Sequence, residues 1–179
     1  LATDGDLRDR SDGLRVCTAV QKKFHRLPKE TLLLLDLSKV LRIAHSALEV
    51  LLSSAKTLVA VREGKYLLFQ VDKKNRDLVE SLEVLARDRD YKVPIIDTTG
   101  KWHVIGRLTK AESETMNLVL QSKGITSAQL KDRLHILSVA ASNRLRSLYV
   151  RGLVRREEQS VPGHGGREFV YKSLISGKL

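Results

Sequence analysis

Asn143 and Arg146 stand three residues apart in SVAASNRLRSLYV, residues 138–150. An amide and a guanidinium are the side chains that form paired hydrogen bonds to adenine and guanine edges, provided that both point the same way. On a helical wheel at about 100° per residue, with Ala141 at the centre of the core side, Leu145 and Leu148 fall beside it. Val139, Asn143, Arg146 and Val150 point to the opposite side, Ser142 and Arg144 lie on the flanks, and Ser147 follows Arg146. A helix packed by its Ala and Leu face and offering Asn and Arg outward suits the major groove of duplex DNA.

Other residues point to weaker chemistry. Asp36 and Asp97 each follow an apolar strand, and carboxylates at strand ends can hold Mg²⁺, with His45 and His103 nearby in type. Asp before Leu-Ser or Thr-Thr-Gly is also ordinary turn chemistry, and no nucleophile has an obvious partner, so catalysis is not expected. PGHGG, residues 162–166, lacks the Lys-Ser/Thr that completes a phosphate-cradling loop and reads as a hairpin tip. Cys17 is the only cysteine, which excludes an intrachain disulfide and a zinc site of the usual spacing, and fits a reducing, cytoplasmic setting. No cofactor or metal is expected. The longest apolar run, in TLLLLDL, is far short of the ~20 residues of a membrane helix, so no membrane association is expected.

The charge is unevenly spread. Thirty-two Lys and Arg oppose twenty-one Asp and Glu, a formal +11, and from Arg107 onward the balance is thirteen against six. The smaller C-terminal part thus carries most of the field, as expected when one end meets a polyanion.

The elements that position the outward Asn and Arg follow from local signals. Thr109 with Glu112, and Thr126 with Gln129, form two capping boxes ahead of apolar-periodic stretches. Gly124 is expected to end the first helix, Ser138 to cap the third, and Gly152 to stop it as a C′ residue. LVRREEQ and REFVYKSL alternate as strands around SVPGHGG. Upstream, residues 1–12 are polar and aperiodic and read as a loose arm. GLRVCTAV alternates and predicts a strand; TLLLLDLSKV predicts a fully buried one. Ala47, Leu48, Leu51, Ala55, Leu58 and Val59 make a helical stripe widened by Val50 and Leu52, more apolar surface than one buried face requires, which suggests a homodimer contact. YLLFQV, a helix capped by Asn75, VPIID and WHVIG complete an α/β sandwich of residues 13–106.

Two resemblances accompany these residues. The pattern TSAQLKDRLHILSVAASNRLRSLYVRGLVRREE…GHGGREFVY, within residues 107–179, resembles winged helix-turn-helix DNA-binding domains. The resemblance implies a recognition helix in the major groove and a wing on backbone or minor groove. By position, Asn143 and Arg146 would face bases, Ser142 and Arg144 phosphate, and Arg155, Arg156, His164 and Arg167 would be wing contacts. LLLLDLSKVLRIAHSALEVLL resembles the signature of STAS domains, the family of sulfate-transporter tails and anti-sigma-factor antagonists. Its antagonists carry a phosphorylated Ser or Thr at that helix start; here His45 occupies the place, Ser46 follows as an N-cap candidate, and Ala44 replaces the usual acidic residue. Together these imply a cytoplasmic transcription regulator of the α/β class. A STAS-like domain senses, dimerises or docks a regulatory protein, and a winged helix binds double-stranded DNA as a homodimer on an inverted repeat. The alternative is a protein-interaction module of the antagonist type without sequence-specific DNA binding.

Overall fold

The structure, a computed structural model, describes residues 2–60, 64–160 and 167–175. The chain divides into two compact units, Leu1–Arg107 and Leu108–Leu179. The first is an α/β unit in the order β1 (Ala2–Leu7), α1 (Arg10–Arg26), β2 (Leu32–Ile43), α2 (His45–Ala60), β3 (Tyr66–Val71), α3 (Arg76–Asp88), β4 (Val93–Asp97), β5 (Trp102–Ile105). Its sheet runs β1-β2-β3-β4-β5, with the first four strands parallel and β5 antiparallel to β4. Each helix is a crossover that returns the chain to start the next parallel strand.

One face of the sheet supplies the core. Leu33, Leu35 and Leu37 of β2, Leu67, Phe69 and Val71 of β3, and Val93 and Ile95 of β4 pack with apolar residues of all three helices. Because side chains alternate across a strand, Leu32, Leu34 and Asp36 turn to the other face and are only half-buried. The continuous apolar run of β2 therefore conceals a two-sided strand rather than a uniformly buried one.

Two N-terminal expectations are corrected. The arm is an edge strand: β1 pairs with the far half of β2, Gly5 opposite Val40 and Leu7 opposite Ile43, and Leu7 is buried. GLRVCTAV lies within helix α1, because Gly13, Val16, Cys17, Val20 and Phe24 share one buried helical stripe. Asp9 caps that helix by accepting the Ser11 and Asp12 amides at 2.8 and 3.1 Å. Gly13 lets α1 approach α2: a Cβ there would lie 2.7 Å from the Ala47 carbonyl oxygen.

Helix α2 packs against α1, α3 and the sheet. Ala47, Leu48, Val50, Leu51, Leu52 and Leu58 are all buried. The extra width of its stripe is thus used inside the unit, and no longer argues for a dimer surface.

The second unit contains α4 (Lys110–Gln121), α5 (Ser127–Leu134), α6 (Ser138–Val150) and a hairpin of β6 (Val154–Ser160) and β7 (Arg167–Ser173). Ile125, between α4 and α5, bridges Tyr171 and adds a short third strand position. Both capping boxes are formed, with Thr109 and Glu112 on α4 and Thr126 and Gln129 on α5. Helix α4 ends at the extended Ser122 rather than at Gly124. No helix among the described residues is long and apolar enough to cross a membrane.

Candidate nucleic-acid interface

The turn between α5 and α6 is made by His135 in the left-handed conformation, φ 51°, after which the Ile136 amide donates to the Lys131 carbonyl at 3.2 Å. The extended residue before α6 is Leu137, so Ser138 is the first helical residue and not the cap. At the other end Arg151 is the C-cap and Gly152 takes φ +72°. The Gly152 amide bonds the Tyr149 carbonyl at 2.9 Å and the Leu153 amide the Leu148 carbonyl at 3.0 Å, with Leu148 and Leu153 both fully buried. This is a Schellman ending with its apolar contact, and it sets the angle at which the chain leaves α6 for β6.

Ala141, Leu145 and Leu148 are fully buried, as the wheel predicts. Val139, Ser142, Asn143, Arg146 and Val150 form the exposed arc, with Arg144 and Ser147 half-buried at its margins. Arg144 does not stand ready for a phosphate: its guanidinium pairs with Glu114 of α4 at 3.3 Å. Arg151 pairs with Glu112, so α6 is tied to α4 at two points. Arg146 makes no ion pair among the described residues and is the guanidinium of the exposed arc.

On the hairpin the predicted wing cations are also engaged. The Arg155 Nε donates to the Ser173 carbonyl at 3.0 Å. Arg156 stacks over Tyr149 and Phe169 at 4.3 and 4.0 Å from their centroids, which couples β6 and β7 to α6. Arg167 pairs with Glu158 at 3.4 Å, and Lys172 with Glu157. These pairs are mostly solvated, so each contributes little to stability and can be exchanged for a phosphate at small cost. His164 and the predicted hairpin tip lie outside the described residues. The sequence did not single out Leu137, which is 79% exposed directly ahead of α6. Its signal was an apolar residue at a cap position, where Ser, Thr, Asp or Asn is usual.

The sites proposed for the first unit do not converge. His45 begins α2 and is exposed, while Ser46 sits inside the first turn rather than at the cap. Ala44 precedes the helix and its carbonyl accepts the Leu48 amide at 3.0 Å. Asp36 shares a cross-sheet row with Gln70 and Ile96, whereas Asp97 lies opposite Val71 and so on the other face. Asp36 lies inside β2 rather than after it and accepts the Ser38 amide at 2.9 Å, whereas Asp97 ends β4 and closes the following turn on the Thr99 and Lys101 amides at 2.8 and 2.9 Å. The Thr99 hydroxyl, then those amides and Lys73, hold the Asp97 carboxyl below its ordinary range, against burial, which raises it. Burial pushes the His103 imidazole down, opposed by Asp97, and pushes the Cys17 thiol up. Among the described residues no three His, Cys, Asp or Glu side chains are grouped as metal ligands.

No family model matches the chain, and neither the curated proteins nor the solved structures contain a match to it.

Proposed function

We propose that the protein is a DNA-binding transcription regulator in which the Leu108–Leu179 unit is a winged helix that lays α6 in the major groove. The observation that carries this is the division of α6 into a buried Ala141, Leu145 and Leu148 face and an exposed arc of Val139, Ser142, Asn143 and Arg146. Support also comes from the order of three helices, a bridge at Ile125 and a two-stranded hairpin. The unit's charge adds to this, with twelve basic and six acidic residues. The Leu1–Arg107 unit is the regulatory half, STAS-like in its Asp36-Leu37-Ser38 sequence, although that sequence lies within β2 and not at its end, and docks a partner or a signal. Its sequential strand order has no reversal at which an open α/β sheet would form a ligand crevice. A cytoplasmic location, and a homodimer on an inverted repeat, belong to the same proposal.

A second function is favoured by a different observation. Arg144, Arg151, Arg167 and Lys172 are already paired with carboxylates, and Leu137 and Val139 are apolar and exposed, as on a protein-docking surface. Selection from a pool of random duplexes by the full chain, followed by salt titration, separates the two. A shared motif with a log–log salt slope of about 0.9 per neutralised phosphate is expected for the regulator. Weak binding without a motif, lost at physiological salt, would assign the surface to a protein partner.

A further inference from the structure

The exposed arc of α6 is more ordered than a polar helix face requires. Val139, Asn143, Arg146 and Val150 follow one another at spacings of four, three and four, so they form a single ridge along the helix. Val139 is 70% exposed and Val150 55%, with an amide and an exposed guanidinium between them. A β-branched residue this exposed gains nothing from the helix itself, in which its propensity is below average.

Resting on the DNA-binding function above, we propose that Val139 is a specificity residue that reads a thymine methyl group. The ridge then reads thymine, adenine and guanine in that order from Val139 through Asn143 to Arg146. The chemistry follows from the base edges: a thymine C5-methyl is the apolar feature of the major groove, Asn pairs with adenine N6 and N7, and Arg with guanine O6 and N7. The lengths agree. At about 1.5 Å of rise per residue, Val139 lies about 6 Å before Asn143 and about 10 Å before Arg146. At about 3.4 Å per base pair this spans three steps, so the three bases fall within four consecutive pairs. A four-three-four ridge also suits packing against a second helix, but a seam between copies would bury Arg146 without a carboxylate on the ridge to pair it. The positive charge of the unit favours the polyanion instead.

The test uses the full chain and the duplex recovered by selection, with each thymine replaced in turn by deoxyuracil, which removes one methyl group and nothing else. One position is expected to lose about fourfold in affinity, the equivalent of one buried methyl. Val139→Ala should lose affinity for the thymine duplex and be indifferent to deoxyuracil at that position, while Asn143→Ala relaxes the preference at the adenine and Arg146→Ala at the guanine. Circular dichroism and the thermal midpoint of each variant show that these exposed substitutions leave the fold intact. Equal binding to every deoxyuracil duplex, or a methyl dependence that survives in Val139→Ala, would overturn the assignment while DNA binding stands. Recovery of no motif would overturn both. A dimer in DNA-free sedimentation that Val139→Asp dissociates would give the ridge to a second copy of the chain instead.

Discussion

Gly13→Ala places a methyl group where α1 and α2 touch. In an exposed helix the change would stabilise, since Ala exceeds Gly by about 0.8–1.0 kcal/mol in propensity. Here the new Cβ would meet the Ala47 carbonyl oxygen at 2.7 Å, its Cα at 2.8 Å and its carbonyl carbon at 3.1 Å. All three are backbone atoms of a helix whose Ala47 and Leu48 are fully buried, so no side chain can swing aside. The helices must part by roughly 0.7 Å to reach ordinary contact, which loosens the Val16, Cys17 and Val20 stripe beneath them. Overpacking of this kind costs about 1–3 kcal/mol, so the net effect is a loss of about 1 kcal/mol after the propensity gain. In a unit of this size that lowers the thermal midpoint by about 4–8 °C. Trp102, the single tryptophan, belongs to β5, so its fluorescence in a urea titration reports the first unit selectively. Thr18→Ala, an exposed site on the same helix, serves as the control and should be neutral or slightly stabilising. A Gly13→Ala protein with an unchanged or higher urea midpoint would refute the close contact of α1 with α2.

Two further outcomes follow from the pairing of specific charges. Arg146→Ala should weaken specific duplex binding by about 1–3 kcal/mol and relax base preference, while Arg144→Ala, which removes an ion pair to Glu114, should change binding uniformly across sequences and by less; titration of each variant against specific and scrambled duplexes checks this, and equal base-specific losses would contradict it. Asp97→Asn tests the β4–β5 turn by pH. The Thr99 hydroxyl and the turn amides depress the folded carboxyl below its model-compound value of 3.8, so its stabilisation is complete above that pH and is lost as pH falls through the lower folded value. The variant should therefore unfold at lower urea than the parent near neutral pH, with the gap closing in strong acid; a gap independent of pH would show that the charge contributes nothing.

Much of the second unit was legible because its signals are local. The capping boxes at Thr109 and Thr126 and the Gly152 stop are decided within five residues, and the buried face of α6 is a matter of period. The same holds for the Asn75 cap and the stripe of α3. What failed was ambiguous locally. Val16, Thr18 and Val20 alternate as in a strand, yet Val16, Cys17, Val20 and Phe24 also recur at helical spacing, and only the approach of α1 to α2 at Gly13 selects the helix. The polar composition of β1 hides a strand whose stability comes from the parallel partner β2, some thirty-five residues away. The width of the α2 stripe was visible, but its three buried neighbours were not, since a surplus apolar face looks the same in sequence whether it meets another helix or another chain.

For the candidate interface the same division holds. Residue order determines which side chains share the outer arc of α6, because the helical period projects them there. The partners of the cations are decided only in three dimensions: Arg144 and Arg151 meet Glu114 and Glu112 across thirty and thirty-nine residues, and Arg156 meets Tyr149 and Phe169. Net charge counts every arginine equally, whereas the fold gives Arg146 no ion pair among the described residues and occupies its neighbours with carboxylates and rings, because Coulomb and stacking partners are chosen by distance rather than by sequence.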